Sequence, residues 1–512
     1  MGSLAADTHY PDASDETLIL THPTAAEMER TWRLNHREWG GPLDLPSYLG
    51  REKFLASTPL AANGGMLHWI LTEAHDEKEK DKEEKRRVLA SCETIRKRVL
   101  YVPPAGAGDK VREGLGYGIG SVYTYPEFRG KKYAARMLKE LGSALRTQPA
   151  AEEKGVEEQP RKKYPQKHHV NGSRAAVDAG SDGANEGYDG VPQKKKAEAV
   201  CSALWSDIGK RFYASKGWPV FASEHVEFPS SPSSPSPPGI PSLLERSGQP
   251  HGASLTLVPV NTSNLTELCL RDEAQLRGDL LRHARDTGRT AFAFAPDHDV
   301  FRWHWAREEY IVSRVFPGRQ ASEVRGMIAT VTSTSTSTSQ TNAILNGGGD
   351  SERGRETRIW AIWMRNYGEG AASNPAKNTL YILRLVIDNG NDNDNDAASS
   401  APPPLNENGV AVPSSPGSQK ALQLAFDAIM HSAVDTARAW HCGSVHLWNP
   451  TPAVRGLIAG SGLAHKFVDR EVDSIPSMMW YADKEIGKGE GEGEGKGTGV
   501  VDWIANDKYC WC

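Results

Sequence analysis

Residues 118–145 constrain the fold more than any other stretch of the chain. Gly118–Thr124 reads as a strand, a tight turn follows, and a helix begins near Gly130. That helix carries Ala134, Met137, Leu138, Leu141 and Leu145 at helical spacing, so one face is apolar. The first turn of a helix leaves backbone N–H groups unpaired, and its dipole end is positive. A strand that runs through a tight turn into such an end makes a site for a pyrophosphate. Gly130 and Ala134 are small where backbone and phosphate must come close, and Arg129 and Lys131 add positive charge at the rim.

The rest of the chain alternates strands and helices in the same manner, which makes the fold class α/β. In the first half, strands are expected at Leu18–Leu20, Met66–Leu71, from Val88–Glu93 onward, at Ala199–Trp205 and within Trp218–Phe228. Thr24-Ala25-Ala26-Glu27 is a capping box that opens a helix running to Trp39. Shorter helices are expected near Glu52–Ser57 and Asp207–Lys216. In the second half, strands are expected at Leu255–Val260, Val324–Val331, Thr357–Met364, Leu380–Ile387, Ser444–Trp448 and Ile475–Tyr481. Helices are expected at Asn264–Arg285, Gln419–Trp440 and Ala453–Ala459.

The apolar fraction is 38%, below the ~45–50% usual for globular chains. Polar inserts account for the dilution. Residues 147–196 are Glu, Lys, Gly, Pro and Gln with little to bury, and read as a disordered insertion. Similar low-complexity inserts span about 332–354, 388–417 and 487–499, and Asp76–Arg87 is an uninterrupted polar run. A Ser/Pro-rich linker at 230–250 divides the chain into a domain at 1–229 and a second α/β domain at 251–512. Leu204-Trp205 and Leu447-Trp448 each end a strand that precedes a helix and a glycine (Gly217, Gly462), an echo that duplication or chance would explain.

A formal net charge of -5 gives no global basic field for nucleic acid. No run of 18 apolar residues is present, so no membrane span is expected. The N-terminus lacks a secretory apolar core, and a cytoplasmic location is expected. Six scattered cysteines read as free thiols, and no metal site is expected. Asp392–Asp396 lacks the Gly and Glu of a calcium loop, and His168-His169 has no companions at zinc spacing. Trp303-His304-Trp305 is expected to be a packed corner, the lining of a substrate pocket being the alternative. The oligomeric state is not read from the sequence.

Arg129-Gly130-Lys131-Lys132-Tyr133-Ala134, preceded by the strand end Val122-Tyr123-Thr124, resembles motif A of the GNAT superfamily of N-acetyltransferases, R/Q-x-x-G-x-G/A. Lys132 stands where the motif has its middle glycine. Leu204–Trp218, with Phe212-Tyr213 and Gly217, resembles motif B. With Ser91-Cys92-Glu93-Thr94, Ser206-Asp207-Ile208-Gly209, Ile475-Pro476-Ser477 and Trp503–Trp511, the pattern is similar to the fungal lysine N-acetyltransferases of lysine catabolism.

That resemblance implies a GNAT-type mixed sheet flanked by helices in the first half, and a diverged GNAT-like α/β domain without its own motif A in the second. It implies acetyl-CoA as co-substrate, held by Val122, Tyr123, Thr124, Arg129, Gly130, Lys131, Lys132, Tyr133 and Ala134. It further implies transfer to the ε-amine of free L-lysine, with Tyr213 protonating the departing thiolate and a backbone N–H near Val122 or Tyr123 serving the carbonyl oxygen. A lysine ammonium of pKa ~10.4 must lose its proton to attack. Glu93, expected within the catalytic sheet, is the candidate base, a structural or ammonium-binding role being the alternative. Asp207 reads as a helix N-cap. Two other functions stay open: acetylation of a protein, polyamine or other amine, and a catalytically inactive GNAT-fold binding protein.

Overall fold

The computed structural model describes residues 10–74, 86–104, 110–147, 199–230, 254–333, 355–388, 416–482 and 501–511. The linker, the four low-complexity inserts, most of the charged run, the Asp392–Asp396 string, His168-His169 and Cys512 lie wholly or almost wholly outside them. The first half runs β1 (Leu18–Thr21), α1 (Ala25–Trp39), α2 (Leu45–Ala56), β2 (Met66–Glu73), β3 (Ala90–Val102), β4 (Arg112–Thr124), α3 (Tyr133–Thr147), β5 (Ala199–Ser206), α4 (Arg211–Ala214) and β6 (Glu224–Pro229). The second runs β7 (Ser254–Val260), α5 (Leu265–Thr287), β8 (Thr290–Phe294), α6 (His298–Val315), β9 (Gly326–Ser333), β10 (Arg355–Asn366), β11 (Thr379–Asp388), α7 (Pro416–Ala439), β12 (Ser444–Trp448), α8 (Pro452–Gly460), β13 (Lys466–Asp469), β14 (Ile475–Trp480) and β15 (Val501–Trp503).

Local chemistry explains several boundaries. Thr24 accepts from the Glu27 N–H, and the Glu27 carboxylate accepts from the Thr24 N–H, so the capping box closes as expected. Arg86 adds two further bonds of 2.9 Å to the same buried carboxylate. Helix α2 starts seven residues earlier than expected, because Asp44 caps it by accepting from the Ser47 N–H and Pro46 is tolerated in a first turn. Three short strands and one long helix were not expected: β8, β13, β15 and α6. Strand β8 is buried along its whole length, so Thr-Ala-Phe-Ala-Phe shows no polar alternation.

Two mixed sheets form. The first orders its strands β1-β2-β3-β4-β5-β14, with β8 beside β3 and β15 beside β8; the second is β13-β6-β12-β11-β10-β9-β7. The halves follow one plan. Four antiparallel strands (β1 to β4; β7, β9, β10, β11) lead through a helix (α3; α7) to a strand added in parallel (β5; β12). The Leu-Trp echo therefore lies on equivalent strands, as duplication requires.

The last strand of each plan is exchanged. β6, from the first half, pairs antiparallel with β12, and β14, from the second, pairs antiparallel with β5. The linker at residue 230 thus does not separate the sheets. One apolar cluster joins them, including Val99, Ala203 and Met478 of the first and Ile328, Trp360 and Trp448 of the second. Trp303, His304 and Trp305 are buried, packed as expected but within helix α6 rather than at a corner. Five cysteines (Cys92, Cys201, Cys269, Cys442, Cys510) are buried free thiols. Among the described residues no helix is long and apolar enough to cross a membrane.

Candidate active site

Glu93 lies on β3 opposite His68 of β2 and Gly120 of β4. The β3–β4 register shifts beside it, where β4 carries one extra residue and Ser121 takes a left-handed φ of 51°. This bulge brings the Ser121 hydroxyl to Glu93 Oε2 at 3.0 Å. Trp32 of α1 donates its indole N–H to Oε1 at 3.2 Å, and His68 Nδ1 stands 3.2 Å from the same oxygen. Pro23, Thr31, Asn35, Ser91 and Cys92 are among the residues that line a small, tight pocket at this group.

Burial alone would push the Glu93 carboxyl up. The bond to His68, its charge, and the donors Ser121 and Trp32 outweigh burial, so the carboxyl sits below its ordinary value. Burial pulls His68 down, but Glu93 raises it further, leaving a net rise. Glu52 of α2 is close enough to feel Glu93; burial, then that like charge, hold it high against the opposing pull of Arg51. The site therefore holds one carboxylate kept ionised by donors from three elements.

The turn after β4 forms a second part of the site. β4 pairs with β3 as far as Thr124 but with β5 only from Leu115 to Ile119. The β5-facing edge of Gly120–Thr124 consequently has no strand partner among the described residues. The chain then turns through a short 3-10 segment, Pro126–Phe128. Gly130 and Lys132 both take positive φ, 79° and 65°. The helix therefore starts at Tyr133, three residues later than expected, because neither residue can join an α-helix at such angles. The Lys132 carbonyl accepts from the Arg136 N–H at 3.1 Å, which makes Lys132 the cap and leaves the following amides facing the turn.

The motif residues divide by environment. Arg129, Gly130, Lys131 and Lys132 are exposed, Val122, Thr124 and Ala134 are half-buried, and Tyr123 and Tyr133 are buried. Arg129 donates to the Thr124 carbonyl at 3.0 Å and lies over the Tyr123 ring. Lys131 lies over the ring of Tyr10 at 4.8 Å. The Tyr133 hydroxyl is taken by the Pro11 carbonyl at 2.6 Å, so Tyr133 offers the turn only its backbone. Nothing lies within 4 Å of where a Cβ on Gly130 would stand. An open, basic turn at a helix start, next to an unpaired strand edge, fits the pyrophosphate and pantetheine arm of a CoA thioester.

Tyr213, on the four-residue α4, lies in the apolar cluster that holds Cys92, Ile119 and Leu204. Burial, then Cys92 and Asp207, raise its hydroxyl above the ordinary value, so it stays a proton donor. Asp207 is not a helix cap. Its Oδ1 accepts from the Ser474 N–H at 2.9 Å and ties the loop before β14 to the end of β5.

His68, Ser121, Trp32 and Glu52 were not read as site residues. His68 stood out as the one ionisable group in the apolar run Met66–Leu71. The others carry no local signal. A separate group, His225, Glu227 and His446, shares one face of the second sheet with ligand-type atoms within 4.8 Å. His225 and His446 stack at 4.6 Å, and burial, then His225 and Arg470, push His446 down to about 3.

The description "LYC1 GNAT-like C-terminal domain" matches residues 225–512, more than half of the chain. "Uncharacterized protein YGR111W" of Saccharomyces cerevisiae is 27% identical over 338 residues, 61% of this chain and 68% of that protein. A lysine acetyltransferase of Yarrowia lipolytica is 28% identical over 193 residues, so the match spans only 38% of this chain and 38% of that protein. A solved probable N-acyltransferase from Enterococcus faecalis aligns over 91% of this chain and 73% of its own, at 12% identity and a TM-score of 0.41. The chain belongs to the LYC1 GNAT-like family, and its fold is of the GNAT type.

Proposed function

We propose that the chain acetylates the ε-amine of free L-lysine. The observation that carries the reading is Glu93: a carboxylate kept ionised in a small pocket, beside the bulge in β4. Acetyl-CoA supplies the acetyl group as an activated thioester. The Gly130–Tyr133 backbone and the Arg129 and Lys131 charges hold its diphosphate, and the unpaired edge of β4 orients the thioester arm. Glu93 attracts the lysine ammonium and accepts its proton, directly or through one water, leaving a neutral amine to form the new C–N bond. A backbone N–H near Val122 or Tyr123 donates to the carbonyl oxygen as negative charge grows on it. Tyr213 gives its proton to the sulfur as the C–S bond breaks and is reprotonated as the acylated nitrogen sheds its second proton to become the amide, while Glu93 releases its proton to solvent. The Yarrowia lysine acetyltransferase supports lysine as acceptor. In this reading the first half carries the chemistry, and the second closes the acceptor side.

The test is thiol release from acetyl-CoA by purified protein with L-lysine, ornithine, spermidine and a histone-tail peptide. Turnover confined to L-lysine is expected. Turnover only with another amine would remove lysine, and none with any amine would favour a binding role.

A further inference from the structure

Glu93, Ile95 and Lys97 alternate onto one face of β3. Ile95 packs in a buried cluster with Leu55 of α2 and with Trp303 and Ala306 of α6. Lys97 donates to the Cys510 and Trp511 carbonyls at 2.7 and 3.1 Å. Arg307 follows Ala306 and comes one helical turn after Trp303, so α6 carries it over this same row of β3. Its guanidinium donates to Asn366 Oδ1 at 2.9 Å, and its Cζ stands 5.7 Å from the Trp511 ring centroid.

No carboxylate of the described residues lies within ion-pair distance of Arg307. Other arginines of the chain differ. Arg51 grips Glu52 at 2.5 Å, Arg325 meets Glu308 at 2.7 Å, and Arg98 meets Asp297 at 2.6 Å. A guanidinium offers five N–H donors, and Arg307 commits one to a side chain. Burial, then the charge of Arg51, draw it down to about 10, which is still cationic at neutral pH. The charges of Glu93 and of Arg307 both act on Glu52 and on Tyr48.

We propose that Arg307 binds the α-carboxylate of the acceptor, so that the site selects an amino acid over a diamine of the same length. The proposal rests on the reading of Glu93 as the group that receives the amine. Six bonds of ~1.5 Å separate the ε-nitrogen of lysine from its carboxylate carbon, a reach of roughly 7 Å when extended. With a contact of ~2.8 Å at each end, the two protein groups must stand roughly 12–13 Å apart, about two two-residue steps along β3, the span from Glu93 to Lys97, whose partner Trp511 also meets Arg307. A fork-shaped donor matches a carboxylate with two parallel bonds. Glu93 at one end and Arg307 at the other thus complement a chain with an ammonium at its far end and a carboxylate at its head. In 1,5-diaminopentane, which lacks the carboxylate, Arg307 is left without a counter-ion.

The experiment compares kcat/KM for L-lysine and for 1,5-diaminopentane in the wild-type protein, Arg307→Gln and Arg307→Lys. The wild type should prefer lysine. In Arg307→Gln the ratio of the two should fall about 10- to 100-fold, mostly through KM for lysine, as expected for a lost charge-assisted contact. Arg307→Lys, which keeps the charge without the fork, should fall in between and serves if the Gln variant does not fold. An unchanged ratio in a folded variant overturns the proposal. If the wild type turns over no amine, calorimetry with L-lysine alone separates the two readings: lysine binding that Arg307→Gln abolishes keeps the carboxylate site while the transferase reading fails, and no binding overturns both.

Discussion

Replacing Glu93 by Gln keeps the shape of the side chain and removes its charge. The oxygen now at Oε1 accepts from Trp32 and faces His68, while Oε2 accepts from Ser121. A glutamine can keep its oxygen toward Trp32, whose indole can only donate, and turn its amide toward the Ser121 hydroxyl, which can also accept. The fold should survive with a loss of roughly 1–3 kcal/mol, the scale of hydrogen bonds to a charged group. Activity should fall about 10²- to 10⁴-fold in kcat/KM, because an amide cannot take the proton. The variant also carries a second readout. In the wild type Glu93 raises His68 against the effect of burial, so His68 should titrate above 6.5 there and below it in Glu93→Gln. The signs for stability follow. The depressed Glu93 contributes stability present above its unfolded pKa of ~4.3, lost as pH falls through the folded value. The raised His68 contributes stability present below ~6.5, lost as pH rises through its folded value. Both slopes should flatten in the variant. Thiol-release kinetics, denaturant unfolding against pH and an NMR titration of His68 check this. A Glu93→Gln rate within threefold of wild type, with His68 unmoved, would refute the reasoning.

Tyr213→Phe fills the same buried space without the hydroxyl, so thiol release should drop about 10²-fold or more with the melting temperature nearly unchanged; an unaltered kcat would give the proton to another donor. Lys132 holds a φ of 65° that costs a side chain roughly 1–2 kcal/mol. Lys132→Gly removes that strain but adds ~0.5–1 kcal/mol of unfolded-state freedom, so urea unfolding should show no loss and a gain of up to about 1.5 kcal/mol. Gly130→Ala, at a φ of 79° with open space around it, adds roughly 1–2 kcal/mol of backbone strain against ~0.4–1 kcal/mol gained from a less free unfolded chain, so it should lose up to about 1.5 kcal/mol.

The sequence by itself determined what short-range physics determines. The capping box of α1, the strands from β2 to β5 and the apolar face of α3 depend on residues a few positions apart, and all were legible. So was the basic turn at Arg129–Lys132. Its exact helix start was not, because a left-handed lysine looks like any other lysine. Strand β8 and helix α6 were missed because both lie in the interior, where Thr290–Phe294 and Trp303-His304-Trp305 need no polar face to shed. Tertiary structure alone decided the exchange of β6 and β14, whose pairings join residues more than two hundred positions apart. It also decided the site. Glu93 was visible as an acid in a strand, but the donors that keep it charged come from α1, β2 and a bulge in β4, and Arg307 arrives from a helix in the other half. Local propensity cannot encode such meetings, since only the packing of the two sheets and their helices sets which charges share one buried space.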